Sequence, residues 1–301
     1  MATSDAPALL DIWNRAARFD TISDDVFHEK AWLDDGVDAD LRLVAEVDGS
    51  AAAFAVGAVR QKDQGPSGYI KMMAVRPELQ RNGLGSDLLS RLEHELRRRG
   101  TRVCRPGESA PNYLTPGVDL RYTKATVFFE KRGYEKIGQS YNMEAELENI
   151  DLDTTGDEEP LAMTGFRIGR AAESDRSDVM AMLAEHWPSW QDEVGVSLSN
   201  DPVSLFVARR DDKVVAFSAY ETNNRGTGWF GPMGTAPDAR GHGIGSVLLK
   251  RCLVDLRDAG YRRAIIPWVA PISFYLHHVG AEVCRVFNRY EKQLDDHSPS
   301  D

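Results

Sequence analysis

An internal repeat at an offset of 160 residues constrains this chain more than any other feature. From Met73 to Arg102 against Met233 to Arg262, twelve of thirty positions are identical, including Pro77 with Pro237, Gly83 with Gly243, Gly85 with Gly245, Ser86 with Ser246 and Gly100 with Gly260. Unrelated sequences of ordinary composition would share roughly two. The chain must therefore fold one kind of unit twice, and its 301 residues are enough for two domains, each with its own core. Between Glu144 and Glu159 lie eight acidic residues and no basic one, ending at Pro160 and followed by Thr164-Gly165. That stretch lacks apolar periodicity and reads as a flexible connector. The expected organisation is a domain over 1–147, an acidic linker over 148–164 and a second domain over 165–301.

Charge and composition exclude several functions. Taking the eight acids between Glu144 and Glu159 from the net charge of −11 leaves −3 for the rest, so the acidity belongs mostly to this acidic segment and says little about a substrate. A negative chain is a poor match for nonspecific nucleic-acid binding, which needs cations against phosphates. No apolar run approaches the roughly 18 residues of a membrane helix, and Met1 to Asp5 lacks the basic and apolar regions of a signal peptide. No nucleic-acid or membrane partner is expected, and the expected location is cytoplasmic. Cys104, Cys252 and Cys284 are scattered and read as buried reduced thiols; His277 and His278 are adjacent, so no metal site is expected.

Periodicity gives a coarse element order. The first half reads as helices over Leu9 to Arg18 and Asp25 to Leu33, strands over Leu41 to Val47 and Ala52 to Val59 joined at Asp48-Gly49, and a strand over Tyr69 to Val75. A helix then follows with Leu88, Leu89, Leu92 and Leu96 on one face. The second half reads as a strand over Phe166 to Arg170, a helix capped at Ser174, and a hairpin of Leu205 to Arg209 with Val214 to Tyr220. A strand over Thr227 to Gly234 precedes its helix, and Ile265, Ile266 and Trp268 form a further strand.

Each half thus carries strand, glycine loop, helix. The loops are Gln80-Arg81-Asn82-Gly83-Leu84-Gly85-Ser86 and Arg240-Gly241-His242-Gly243-Ile244-Gly245-Ser246. Glycines there allow a sharp turn and close backbone approach, and a helix starting immediately afterwards offers free N–H groups to an anion such as a pyrophosphate. Neither loop reads Gly-x-Gly-x-x-Gly, and no acidic residue ends a following parallel strand, which argues against a dinucleotide-dependent oxidoreductase.

With Val75-Arg76-Pro77 or Thr235-Ala236-Pro237 ahead of a Gln/Arg-x-x-Gly-x-Gly loop, each half resembles the GNAT superfamily of acetyltransferases. The fold class this implies is α/β of the α+β kind: two GNAT-like domains, each a mixed, mostly antiparallel twisted sheet flanked by helices. The implied cosubstrate is acetyl-CoA. The resemblance assigns pantetheine pairing to the backbone of Met73, Ala74 and Val75 or Met233, Gly234 and Thr235. The pyrophosphate falls to the backbone amides from Arg81 to Ser86 or from Gly241 to Ser246, with Gln80 and Arg240 also counted as cofactor-binding residues. The implied activity is transfer of an acetyl group to the amine of a small molecule by direct attack on the thioester. A tyrosine acid shortly before a Gly-aromatic pair is implied as well. Phe274-Tyr275 precedes Gly280-Ala281, making Tyr275 the candidate, whereas Phe128-Phe129 precedes Gly133-Tyr134, so Phe129 occupies the position without a hydroxyl. This contrast makes the second half the expected catalytic one.

Glu221 is the candidate base, with Glu46 as its counterpart on the first hairpin. The loop from Arg105 to Asp119, with three prolines, is a candidate pocket wall in which Asn112, Tyr113 and Asp119 would touch the acceptor. A noncatalytic acyl-CoA-binding or regulatory protein is the alternative reading. The sequence leaves the acceptor and the oligomeric state open.

Overall fold

The structure, a computed structural model, describes residues 1–294. It contains two compact units whose membership departs from the expected division. Unit 1 takes Met1–Ser140 and regains the chain from Val286 on, and unit 2 takes Tyr141–Arg285.

In unit 1, helices α1 (Ala6–Ala16) and α2 (Asp24–Ala31) precede strands β1 (Arg42–Val47), β2 (Ser50–Lys62) and β3 (Gly65–Val75). Ser23 caps α2 by accepting the Val26 N–H, which explains its start. The β1–β2 turn is the expected one, with Asp48 at φ 52° and Gly49 at φ 74°, the left-handed pair of a tight hairpin. Helix α3 (Leu84–Arg98), strands β4 (Val103–Pro106) and β5 (Val118–Asp119), helix α4 (Thr123–Glu130) and the start of β6 (Glu135–Glu146) follow. Leu88, Leu89, Leu92 and Leu96 are all buried, as their spacing requires, with Ala53, Ala55 and Ile70 in the same cluster. The other face of the sheet carries Phe54, Val56 and Met72 against Leu9, Ile12 and Phe27.

Unit 2 begins with the rest of β6 and has α5 (Thr155–Met163), β7 (Phe166–Arg170), α6 (Arg176–His186), α7 (Gln191–Leu198), β8 (Leu205–Arg210) and β9 (Lys213–Tyr220). Strand β10 (Phe230–Thr235), α8 (Ile244–Asp258), β11 (Arg263–Ile266), α9 (Ile272–Val279) and β12 (Glu282–Gln293) complete the order. Strands β10, β9, β8 and β7 form an antiparallel sheet in that order. The end of β6 pairs with β11 from Met143↔Ile266 to Glu146↔Arg263.

Three expectations need correction. First, the closing strand of the chain serves unit 1: β12 pairs Phe287 with Asp119 and Lys292 with Cys104, while residues 141–147 belong to unit 2. Boundaries drawn from local composition miss pairings between residues more than 160 positions apart. Second, the acidic stretch contains α5 and is anchored within unit 2. Leu152 and Leu161 are buried, Asp153 accepts the Thr155 N–H at 3.0 Å, and Lys250 and Arg251 donate to the Asp153 carbonyl and the Glu158 carboxylate at 3.1 and 2.8 Å. Third, the N-cap position of α6 is Asp175 rather than Ser174, and its carboxylate turns back to accept the Ala172 N–H at 2.8 Å instead of capping the helix. In addition, Trp268 lies beyond β11 with φ 47°, and Cys284 is exposed while Cys104 and Cys252 are buried.

No helix among the described residues is long and apolar enough to cross a membrane. No group of three or more His, Cys, Asp or Glu among them is placed to hold a metal ion.

Candidate active site

Both units build the same fork. In unit 1 the parallel pairing of β3 with β4 runs from Gly68↔Cys104 to Ile70↔Pro106 and then ends. Lys71 marks the point of parting. It is the extra residue of a bulge, since Val56 pairs with Met72 and Gly57 with Ile70. In unit 2 a parallel bridge joins Trp229 and Ile265, and β10 is bulged over Gly231-Pro232, between Phe230↔Tyr220 and Met233↔Ser218. Met73 to Val75 and Met233 to Thr235 lie on the free arms of these forks.

Each free arm leads to a helix start. Gly83 (φ 91°) and Gly243 (φ 85°) are the N-caps of α3 and α8, in a backbone region that favours glycine. The Gly83 carbonyl accepts the N–H groups of Ser86 and Asp87 at 2.8 and 3.1 Å. The N–H groups of Leu84 and Gly85, in the first turn, have no intrahelical partner by helix geometry. A Cβ on Gly85 would meet Phe128 at 3.4 Å and Met73 at 3.6 Å; one on Gly245 would meet Phe274 at 3.4 Å and Met233 at 3.6 Å. The two units therefore pack helix against strand through equivalent residues. Exposed loop backbone, free amides and a strand arm with one open edge suit a pyrophosphate with an extended, amide-bearing tail.

The loop side chains divide by role. Gln80 Nε2 donates to the Val75 carbonyl at 3.2 Å and Arg240 Nε to the Thr235 carbonyl at 3.1 Å, so both tie the turn to the strand end rather than reaching outward. Arg81 and Asn82 are exposed; Arg81 holds φ 71°, where unit 2 has Gly241 at φ 82°. His242 is exposed and its ring lies 5.1 Å from that of Phe166. Leu84 is half-buried and Ile244 buried, each seating its helix. Ser246 Oγ donates to the Gly243 carbonyl at 2.7 Å, and Ser86 Oγ accepts from Arg132, whose guanidinium lies over the Phe128 ring at 3.8 Å.

Tyr275, on α9, is 8% exposed, with its ring 6.2 Å from Phe230 and 5.1 Å from Phe274. Its hydroxyl makes no hydrogen bond to any described residue, and burial pushes its pKa up to about 12. Phe129 holds the corresponding place on α4, buried against Tyr134 with ring centroids 5.1 Å apart.

The expected base finds no support in this geometry. The Glu221 carboxylate accepts the N–H groups of Gly226, Gly228 (3.0 Å) and Trp229 (2.9 Å), and the Tyr261 hydroxyl donates at 3.4 Å. Burial raises its pKa while the backbone donors lower it, and the carboxylate braces the loop before β10. Glu46 sits exposed at a bulge of edge strand β1. The substrate residues proposed in the proline-rich loop also serve structure. Asn112 Oδ1 accepts from Lys30 at 2.7 Å and its Nδ2 donates to the Glu29 carbonyl at 3.0 Å. Asp119, buried, holds Arg121 at 2.8 Å, and Tyr113 is buried.

Sequence reasoning missed what fills the unit 1 fork. Asp34 Oδ1 and Oδ2 each accept from Arg60 at 2.6 Å, Lys71 Nζ donates to the same carboxylate, and Arg60 reaches the Ser109 carbonyl at 2.9 Å. Lys30, fully buried, adds a third cation nearby. The available signal was a lysine interrupting the apolar run from Tyr69 to Met73 and an arginine ending the apolar part of β2. Burial, with Lys30 adding repulsion, brings the Lys71 pKa down to about 7, whereas Arg60 and Lys71 hold that of Asp34 below the ordinary value. Because a lysine's unfolded value is about 10.4, the folded protein binds fewer protons than the unfolded chain between pH 7 and 10.4, and stability should rise with pH there. The expected slope is at most about 1.4 kcal/mol per pH unit. Urea unfolding across pH 7 to 9.5 should show this rise in the wild type and lose it in Lys71→Met; equal slopes would refute the assignment.

Two forked sheets, each with a glycine-capped helix at the end of its free arm, define an acyl-transfer fold. The chain belongs to the acetyltransferase (GNAT) family, whose model matches residues 6–105 and 171–279. Solved structures share the fold. A GCN5-related glucosamine N-acetyltransferase region of a fungal multi-domain GH3 β-N-acetylglucosaminidase matches with a TM-score of 0.80 and 20% identity, covering 95% of this chain and 37% of that one. A GCN5-related N-acetyltransferase from Sphaerobacter thermophilus gives 0.69 and 17% over 99% and 95% of the two chains. A tandem GNAT protein from the clavulanic acid biosynthesis pathway gives 0.68 and 15% over 100% and 98%. This chain thus spans about a third of the fungal protein but nearly all of the other two. No curated protein matched.

Proposed function

We propose that the protein acetylates the amine of a small molecule with acetyl-CoA, and that unit 2 carries the chemistry. The observation supporting this reading most directly is Tyr275: a buried phenol against Phe230 at the start of β10, with no hydrogen-bond partner among the described residues, where unit 1 places Phe129. Acetyl-CoA would supply an activated thioester. The amides of Ile244 and Gly245 would hold its pyrophosphate at the start of α8, and the backbone from Met233 to Thr235 would align its tail as an added strand. An N–H of that arm would bind the carbonyl oxygen as charge develops there. Tyr275 stays protonated at neutral pH and donates to sulfur as the carbon–sulfur bond breaks and the carbon–nitrogen bond forms. An amine that arrives as an ammonium loses two protons, one to solvent before the attack and one matched by the proton that sulfur gains, so each turnover releases one proton.

For unit 1, the missing hydroxyl at Phe129 and the ion cluster in its fork favour a second reading, an acyl-CoA-binding module without turnover. Calorimetry with CoA tests both units. Gly243→Glu and Gly83→Glu each put a carboxylate at a phosphate site and should each abolish one binding event, by about 10-fold or more in affinity, from like-charge repulsion at a helix start. Gly→Ala at the same positions carries the same positive-φ strain without the charge and controls for it. CoA binding unaffected by either glutamate would sink the proposal. A mass-spectrometric screen of amines with acetyl-CoA would identify the acceptor.

A further inference from the structure

The two units differ sharply on the face of the fork opposite α3 and α8. Asp5 and Asp175 accept the N–H of Ala2 and Ala172 at 2.7 and 2.8 Å, and Ala17 and Trp187 close their helices by donating to the carbonyls of Trp13 and Leu183, both at 2.7 Å. Ala17 and Trp187 are therefore equivalent. Phe54 pairs with Ala74 as Phe217 pairs with Gly234, so these positions correspond as well. Unit 1 has two alanines where unit 2 has a tryptophan and a glycine.

The exchange is steric. Three ring atoms of Trp187 lie 2.8, 2.9 and 3.0 Å from where a Cβ on Gly234 would stand, so only a glycine lets the indole rest on the β10 backbone. Trp190 stacks on Trp187 with centroids 5.7 Å apart and planes at 17°, and both rings meet the edge of Phe217 at 5.8 and 6.2 Å. Both indoles are half-buried. Neither N–H donates to a described residue, whereas that of Trp13 in unit 1 donates to the Asp20 carbonyl at 2.6 Å. Neither indole nitrogen is a buried atom left without a partner, so both N–H groups are open to solvent or to a ligand. Unit 2 thus lays a flat apolar wall, with two available donors, against the residue next to Met233, on the side of the arm that α8 leaves free.

We propose that Trp187 and Trp190 hold the acceptor, and that the acceptor is a primary amine carried on a ring with a flat apolar face and oxygen atoms at its rim. The flat face stacks on the indoles, the rim oxygens accept from their N–H groups, and the aromatic wall favours the cationic amine before it loses its proton. In unit 1 the same face has only methyl groups at Ala17 and Ala74, beside a fork closed by Lys71, Asp34 and Arg60. This inference rests on the reading of unit 2 as an amine acetyltransferase.

The test measures steady-state kinetics of the full chain with acetyl-CoA and four amines: glucosamine and tyramine as ring amines, putrescine and lysine as chain amines. The wild type should prefer a ring amine in kcat/KM by at least about 10-fold, as expected for a stacking and hydrogen-bonded site. Trp190→Ala should raise the KM for that amine about 10- to 100-fold, with kcat and the KM for acetyl-CoA within about threefold and the chain amines unaffected. Trp190→Phe should restore stacking but not the hydrogen bond, and so recover tyramine more than glucosamine if the second donor serves the sugar ring. A wild-type preference for chain amines, or equal effects of Trp190→Ala on both classes, would overturn the inference while leaving the acetyltransferase reading intact. Absence of both amine turnover and CoA binding would overturn both.

Discussion

Tyr275→Phe is expected to lower turnover by about 100-fold or more, the usual scale for loss of a general acid, while leaving folding and CoA affinity unchanged. The separation is possible because the hydroxyl forms no hydrogen bond with the described residues, so its removal leaves no buried partner unsatisfied and the ring keeps its packing against Phe230 and Phe274. Phe129→Ala offers the contrasting case. Its ring is buried against Phe128 and Tyr134, and truncation should cost about 3 to 5 kcal/mol through a cavity. That variant should lose stability in unit 1 without a specific loss of the chemical step. Turnover should be followed alongside thermal unfolding and CoA titration. If Tyr275→Phe retains full turnover, and Gly83→Glu abolishes it while Gly243→Glu does not, the chemistry belongs to unit 1 and the assignment fails.

The parts of this arrangement visible in the sequence are those written in short-range pattern. The glycine loops, the leucine spacing of α3, the Asp48-Gly49 turn and β7 at Phe166–Arg170 depend on neighbours within a few residues, and they emerged with the expected placement. The contrast of Tyr275 with Phe129 was equally legible, because both precede a glycine that ends a short segment. What stayed hidden depends on distant partners. Glu221 looks like any carboxylate at a strand end until three backbone N–H groups, from residues 226, 228 and 229, turn onto it. Gln80 and Arg240 look like ligand side chains, yet each reaches back to a carbonyl five residues earlier. The segment from Asp151 to Glu159 has the charge of a linker, and only Lys250 and Arg251, nearly a hundred positions later, show why it docks. The Trp187–Gly234 complementarity couples residues 47 positions apart, so neither is informative alone.

Asp34→Ala should be the most destabilising substitution of a polar residue in unit 1, costing about 3 to 5 kcal/mol, because it removes one carboxylate from two buried cations. Arg60 would lose both of its 2.6 Å bonds to that carboxylate, and Lys71 would face Arg60 and Lys30 without the anion that offsets them. The price of an unpaired buried charge exceeds that of removing a complete pair, so Asp34→Ala combined with Lys71→Met should recover part of the loss. Arg60 would then retain the Ser109 carbonyl, to which it donates at 3.2 and 2.9 Å. Urea unfolding at pH 7 should reveal this non-additivity, with CoA titration reporting whether unit 2 still binds. A single-mutant cost under about 1 kcal/mol, in the range of an exposed ion pair, would mean the cluster does not carry unit 1. A measured cost in the buried range would tie the two halves of the functional argument together: the charges that fasten Asp34 of the segment after α2 to the parting point of β3 occupy the bulge position where unit 2 has Gly231. The two copies of the fork thus differ in what flanks them, an ion cluster at Lys71 in one and the rings of Trp187 and Trp190 against Gly234 in the other.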